Sequence, residues 1–139
     1  MRLWNFANAG WRAASLALVL VTLSSCDGDE PDGEAGGPSG AICPADSNLT
    51  YTTFGQAFME EYCTRCHSSA LSGAARNGAP SDHDFDTLGA IRSTAAEHID
   101  EQAAAGPARV NTLMPPSGEP RPSEAERRQL GEWLACRTP

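Results

Sequence analysis

Apolar residues recur at helical spacing in three segments of the chain. The first stripe consists of Phe54, Phe58 and Tyr62. Intervals of four residues place these aromatic side chains on one face of a helix. Because threonine is a good N-cap, the pattern predicts a helix that begins at Thr52 or Thr53 and ends near Cys63.

The second stripe lies in the middle of the chain. It consists of Leu88, Ile91, Ala95 and Ile99. Its spacing predicts one helix from about Thr87 to Ala105, capped by Asp86 or Thr87. Gly106 and the proline after it would end this helix.

The third stripe lies close to the C-terminus and comprises Leu130, Trp133 and Leu134. Ser123 and Glu126 precede it with the spacing of a capping box, in which each side chain bonds the backbone of the other residue. A helix ending near Cys136 is therefore predicted. Together the three stripes predict an all-α domain.

A separate apolar run, residues 13–23, follows Arg2 and Arg12. A charged start, a short apolar stretch and small residues before a cleavage point are typical of a secretory signal peptide, and the run is too short to span a bilayer. Residues 1–25 are therefore predicted to be removed on export. The sequence Leu-Ser-Ser-Cys ending at Cys26 resembles a bacterial lipoprotein box, which implies acylation of that thiol. The alternative is an ordinary signal peptide followed by an unmodified cysteine.

Residues 26–42 are rich in Gly, Pro, Asp and Glu. A segment of this composition has too little apolar surface to order itself and predicts a flexible tether. We therefore divide the chain into a signal peptide, a linker that begins at the anchor cysteine Cys26, and a domain from Cys43 to Pro139.

The chain is acidic and contains no lysine. Its formal charge is −8, and loss of Arg2 and Arg12 with the signal peptide makes it −10, because residues 1–25 contain no acid. This balance argues against binding to nucleic acid, which requires clustered cations. It favours a basic or neutral protein partner.

The strongest chemical signal is Cys63-Thr64-Arg65-Cys66-His67. A C-x-x-C-H run predicts covalent attachment of a c-type haem, in which two thiols on one turn reach the porphyrin vinyl groups and the histidine lies under the iron. The alternatives are a thioredoxin-like motif, which would be expected within a βαβ pattern, and half of a zinc site, which needs a second ligand pair. Neither context is visible in the sequence.

With this motif and its helices the chain resembles the class I cytochrome c family from about residue 52 to 136. The family places a glycine eight positions before the first haem cysteine, where Gly55 stands. That glycine meets two bulky residues three apart on the last helix, matched by Leu130 and Trp133. The usual aromatic residue four before the cysteine is replaced by Met59. The resemblance implies three main helices around one haem, with the N- and C-terminal helices crossed.

The resemblance also implies a methionine ligand from a loop before the last helix. Met114 lies between Leu113 and two prolines in such a loop, and His/Met ligation is common in cytochromes c. His83 and His98 are the alternative sixth ligands. We expect His83 in a solvated loop and His98 on the helix surface.

Two further expectations follow from the resemblance. A proline carbonyl, here that of Pro80, would accept a hydrogen bond from the axial His67 and orient its ring. The carbonyls of Gly78 and Ala79 are the alternative acceptors. If the first and last helices cross, Cys43 and Cys136 would meet, and an exported protein would allow them to form a disulfide.

The expected function is that of a periplasm-facing single-electron carrier, anchored to a membrane by lipid, with redox proteins as partners. No catalytic triad or phosphate-binding loop suggests chemistry on a substrate. Two alternatives remain at this stage. One is a haem c subunit or domain of a larger oxidoreductase, and the other is a five-coordinate haem peroxidase or gas sensor.

Overall fold

The computed structural model describes residues 37–136. Over this range the chain forms four α-helices: α1 Gln56–Tyr62, α2 Leu88–Ser93, α3 Ala96–Ala103 and α4 Glu124–Ala135. A π-helical turn, Tyr51–Gly55, leads into α1, and a short 3-10 helix spans Gly73–Arg76. The described residues contain no strand beyond an isolated bridge between Ala105 and Val110, so the all-α prediction is confirmed for them. The predicted signal peptide, Cys26 and residues 27–36 lie outside the described range.

The first helical segment begins earlier than predicted. Its N-cap is Thr50, whose side chain accepts a hydrogen bond from the backbone N–H of Thr53, while Thr53 Oγ1 accepts from Thr50 N at 2.8 Å. The prediction of Thr52 or Thr53 as cap is therefore wrong. Thr53 instead supplies the returning bond of a capping box, and this stabilises the extra turn before α1.

The predicted middle helix is divided into α2 and α3. Thr94 and Ala95 separate them with non-helical backbone. Ser93 Oγ donates to Ala90 O at 2.6 Å, and such local bonds from serine and threonine compete with continuation of a helix. The prediction of a single helix is wrong. Of the two predicted caps, Asp86 and Thr87, it is Thr87 that caps α2, since its side chain accepts from Ala90 N.

Helix α4 follows the prediction closely. Ser123 and Glu126 form both bonds of the capping box, and Cys136 is the C-cap. Leu130, Trp133 and Leu134 are all buried. The apolar face of α4 therefore lies in the core.

The start of the domain contacts α4 through Gly55. A Cβ atom on this glycine would lie 2.4 Å from Cζ2 of Trp133, so only glycine allows this approach. Phe54 meets the same indole edge-on at 6.1 Å, and Tyr62 donates to Glu126 at 2.9 Å. The predicted contact of Gly55 with the last helix is confirmed.

The segment just before Cys43 packs against the domain. Ser39 is fully buried, and its N–H and hydroxyl donate to the carboxylate of Asp100 at 2.7 and 2.6 Å. The prediction that residues 37–42 belong to a flexible linker is wrong, because this buried acid in α3 holds the segment.

The sulfurs of Cys43 and Cys136 lie at disulfide distance, and their Cα atoms are 4.8 Å apart, as predicted.

Within residues 37–136, no helix is both long and apolar enough to span a bilayer.

Candidate haem site

A cavity of about 310 Å³ lies beside the C-x-x-C-H segment. Its wall contains both thiols of that segment, its histidine and the loop methionine. Aromatic and aliphatic side chains provide most of the remaining surface. The residues that matter for the chemistry are Cys63, Cys66, His67, His83, His98 and Met114.

The end of α1 fixes the spacing of the two thiols. Cys63 is the C-cap of α1, and its carbonyl accepts from the N–H groups of Cys66 at 3.1 Å and His67 at 2.9 Å. The segment therefore forms one closed turn with both cysteines and the histidine on the cavity. Neither cysteine is in a disulfide. Burial raises the pKa of the Cys63 thiol to about 12, so this thiol is protonated at neutral pH.

His67 is held in one orientation by two contacts. Its Nδ1 bonds the carbonyl of His83 at 2.9 Å, and its ring stacks on Phe85 at 4.8 Å. Because a carbonyl only accepts, Nδ1 carries the proton and Nε2 is the nitrogen available to a metal. Burial lowers the pKa of His67, which favours the neutral, ligating form of the ring.

The acceptor for His67 differs from the predicted one. Pro80 lines the cavity, but its carbonyl accepts from Arg76 Nη2. The loop after the 3-10 helix places the carbonyl of His83, not that of Pro80, next to Nδ1 of His67. The prediction that Pro80 accepts the bond from His67 is therefore wrong. His67 still donates to a backbone carbonyl, but that carbonyl belongs to His83.

The methionine loop is attached through its backbone. Met114 N donates to Gln102 O at 2.8 Å, and Met114 O accepts from Arg127 Nη1 at 2.9 Å. The side chain lines the cavity and is 41% exposed, while the next residue, Pro115, is buried. An anchored backbone with an exposed thioether suits a side chain that binds a ligand in the cavity.

Sequence reasoning missed Arg127. This residue is 2% exposed, and Nη1 also donates to Ala103 O at 2.6 Å and to Asn111 O at 2.9 Å. Burial lowers its pKa. The available signal was its position three residues before Leu130, which places a cation on the buried face of α4.

Both remaining histidines also line the cavity. The rings of His83 and His98 stack with centroids 5.1 Å apart. His98 is exposed, as expected for a residue on the helix surface, and His83 is half-buried in its loop. Because both rings line the cavity, His83 and His98 remain alternatives to Met114 as the sixth ligand.

These donors fit a covalent haem. Two unpaired thiols lie on one turn, a neutral imidazole has Nε2 available, and a thioether lines the same largely apolar cavity. By contrast, no group of three or more His, Cys, Asp or Glu side chains suited to a bare metal ion occurs in the described part of the chain.

Comparison of the chain with protein-family models, curated proteins and solved structures gave no match.

Proposed function

We propose that this protein is an exported single-electron carrier that binds one covalent haem c, as the class I cytochromes c do. The observation that carries the proposal is that one cavity wall contains Cys63, Cys66, His67 and Met114. These residues come from two segments far apart in sequence, and each is of the type that a c-type haem requires.

Each residue has a distinct role in this proposal. Cys63 and Cys66 form the thioether links, His67 is the proximal ligand through Nε2, and Met114 is the sixth ligand. The bound haem would supply a one-electron iron couple, whose potential a methionine ligand raises. Pro115 and Phe85, both buried beside the cavity, help to exclude water from the site.

Cellular location and partners belong to the same proposal. The signal peptide over residues 1–25 supports export, and acylation of Cys26 would hold the domain at a membrane surface facing the periplasm. The acidic mature chain, with a formal charge of −10, supports basic or neutral redox proteins as partners, because opposite charges speed encounter. A Cys26→Ser variant should move from the membrane to the soluble fraction, and unchanged membrane association would contradict the lipid anchor.

The visible spectrum of the haem-loaded protein tests the proposal directly. A pyridine haemochrome should show one haem that remains attached after denaturation. The oxidised wild type should be low-spin and show the methionine–iron charge-transfer band. Met114→Ala should abolish this band, whereas Leu113→Ala, at a 66% exposed neighbour in the same loop, should leave it intact.

Ligation by one of the histidines that line the cavity is the main alternative outcome of this spectroscopic test. A low-spin spectrum that Met114→Ala leaves unchanged, but that His98→Ala or His83→Ala converts to high spin, would replace Met114 with a histidine ligand. Absence of covalent haem when the chain is exported with haem-attachment machinery would overturn the proposal itself.

The exposure of Met114 favours a second candidate function. Residue Met114 is 41% exposed, so its side chain is open to displacement as a ligand, and displacement would give five-coordinate iron that reacts with peroxide or binds a gas. Rapid binding of carbon monoxide or cyanide by the wild type would support this function and argue against a carrier. Stable copurification with other redox proteins would instead indicate a haem subunit of a larger oxidoreductase.

A further inference from the structure

Arg76 lies at the end of the 3-10 helix and is only 6% exposed. Its guanidinium makes five hydrogen bonds to the loop that follows His67. Four go to backbone carbonyls and one goes to a carboxylate. The acceptors are the carbonyls of Ser68, Ala79, Pro80 and His83, and Oδ1 of Asp84.

One of these acceptors is shared with the candidate haem ligand. The His83 carbonyl receives Nδ1–H of His67 at 2.9 Å and Nη2 of Arg76 at 3.3 Å. Asp84 balances the charge of Arg76 through an ion pair of 2.8 Å. Arg76 is therefore in a position to fix this carbonyl, and through it the orientation and tautomer of the imidazole.

We propose that Arg76 is a positioning residue for His67, acting through the His83 carbonyl. This inference rests on the proposed function, in which His67 is the proximal ligand. Hydrogen bonds to the outer nitrogen of a ligating histidine fix its ring and raise its basicity as a ligand. Arg76 fixes the acceptor of that bond, the His83 carbonyl, by tying together both ends of the loop from residue 68 to residue 83.

Arginine suits this role because its planar group donates in several fixed directions at once. Nε, Nη1 and Nη2 each have acceptors here. A lysine has the same charge, but its single ammonium group does not span these carbonyls. Arg76→Lys therefore changes geometry while conserving charge.

The test uses the haem-loaded full chain with Arg76→Lys, and Arg128→Lys as the matched control. Arg128 pairs with Glu124 at an exposed site on α4. The first readout is the exchange rate of the His67 Nδ1–H by NMR. We expect it to be about tenfold faster in Arg76→Lys and unchanged in the control, because a loosened carbonyl weakens a bond worth roughly 1.4 kcal/mol.

The second readout is the reduction potential. Weakening the Nδ1–H bond makes His67 a poorer donor to ferric iron, so the potential of Arg76→Lys should rise while that of Arg128→Lys stays unchanged. A role in folding alone would lower the thermal stability of Arg76→Lys without changing either readout. Unchanged exchange in folded Arg76→Lys overturns the inference.

Two further measurements cover the cases in which Arg76→Lys does not fold or the wild type carries no haem. If Arg76→Lys does not fold, Asp84→Ala removes one of the five acceptors that hold Arg76, and Nδ1–H exchange should then be roughly threefold faster; unchanged exchange again overturns the inference. If the wild type carries no haem, the proposed function fails. The same exchange measurement on the haem-free chain then decides the role of Arg76.

Discussion

At the scale of single residues, two buried arginines hold the backbone segments that carry the candidate ligands. Arg76 binds the loop that contains the acceptor for His67, and Arg127 binds the carbonyl of Met114. In both cases the partners are mainly backbone carbonyls, which need donors when they are buried. The geometry of the site therefore depends on cations outside the C-x-x-C-H motif.

Arg127→Met should destabilise the protein and loosen the methionine loop. Three carbonyls lose their donor, and an unsatisfied buried group costs about 1–3 kcal/mol, so we expect a loss of about 3 kcal/mol in the free energy of unfolding. Urea denaturation measures this loss, and faster carbon monoxide binding would report the loosened loop. Arg128→Met, at an exposed site, should change stability by less than about 0.5 kcal/mol. Equal effects of the two variants would contradict the role of Arg127.

Gly55→Ala should destabilise the protein by about 1–3 kcal/mol, because the new methyl group overlaps the buried Trp133 ring. Gly89→Ala is the matched helical control, since its Cβ would meet only Thr87 Oγ1 at 4.0 Å. Alanine there should be neutral or stabilise by up to about 1 kcal/mol. Midpoints of urea denaturation compare the two. A stable Gly55→Ala protein would show that the approach to Trp133 is not close in solution.

At the scale of elements, local capping decides where the helices begin, and local side-chain bonds decide where one of them breaks. Thr50, Thr87 and Ser123 cap their helices with side-chain oxygens. Ile91 on α2 and Ile99 on α3 both lie in the core. His98, also on α3, lines the cavity.

The capping box of α4 predicts a dependence of stability on pH. Hydrogen bonds from the Ser123 side chain, the Ser123 N–H and Tyr62 lower the pKa of Glu126 below its usual 4.5. A lowered pKa in the folded state contributes stability above the unfolded pKa, and this contribution is lost as pH falls through the folded pKa. Stability should therefore decline as the pH falls below about 4.5, and Glu126→Gln should reduce this decline.

Ser123→Ala provides the check on that cap. The substitution should lower the free energy of unfolding by about 1 kcal/mol at pH 7. It should also reduce the loss of stability at acid pH, because it removes the largest cause of the lowered pKa of Glu126. Thermal melts between pH 3 and pH 7 measure both effects. Parallel pH profiles for the wild type and Glu126→Gln would argue against the predicted linkage.

At the scale of the whole molecule, contacts between distant segments close the domain. Ser39 binds Asp100, Gly55 meets Trp133, and Cys43 meets Cys136 across a separation of 93 residues. Such long-range contacts matter in a small domain, whose core alone is marginal. The residues that line the cavity come from segments between Phe58 and Leu130, so the fold that these contacts close also brings the cavity wall together.

Removal of the disulfide should destabilise the domain substantially. Closing a loop of this length is worth roughly 4 kcal/mol in the chain-entropy model, so the Cys43→Ser/Cys136→Ser double variant should unfold at much lower urea concentration. Mass spectrometry of unreduced peptides should find the two cysteines linked in the wild type. Free thiols at both positions would refute the pairing.

The sequence by itself predicted what depends on neighbouring residues. It identified the C-x-x-C-H motif, the all-α class, a cap at Asp86 or Thr87, the capping box at Ser123 and the apolar face of α4. Periodicity and capping act within a few residues, so they are visible in the sequence. The haem and the electron-carrier function that the motif indicates remain predictions.

The family resemblance also predicted two distant contacts, Gly55 with the last helix and Cys43 with Cys136. The tertiary structure decided which distant partners the buried polar groups have. It selected His83 instead of Pro80 as the acceptor for His67, assigned Arg76 and Arg127 to buried carbonyls, and fixed residues 37–42 to the domain through Asp100. Local patterns do not show which distant acceptor a buried donor reaches. Most buried polar groups find their partners only when the whole chain is folded.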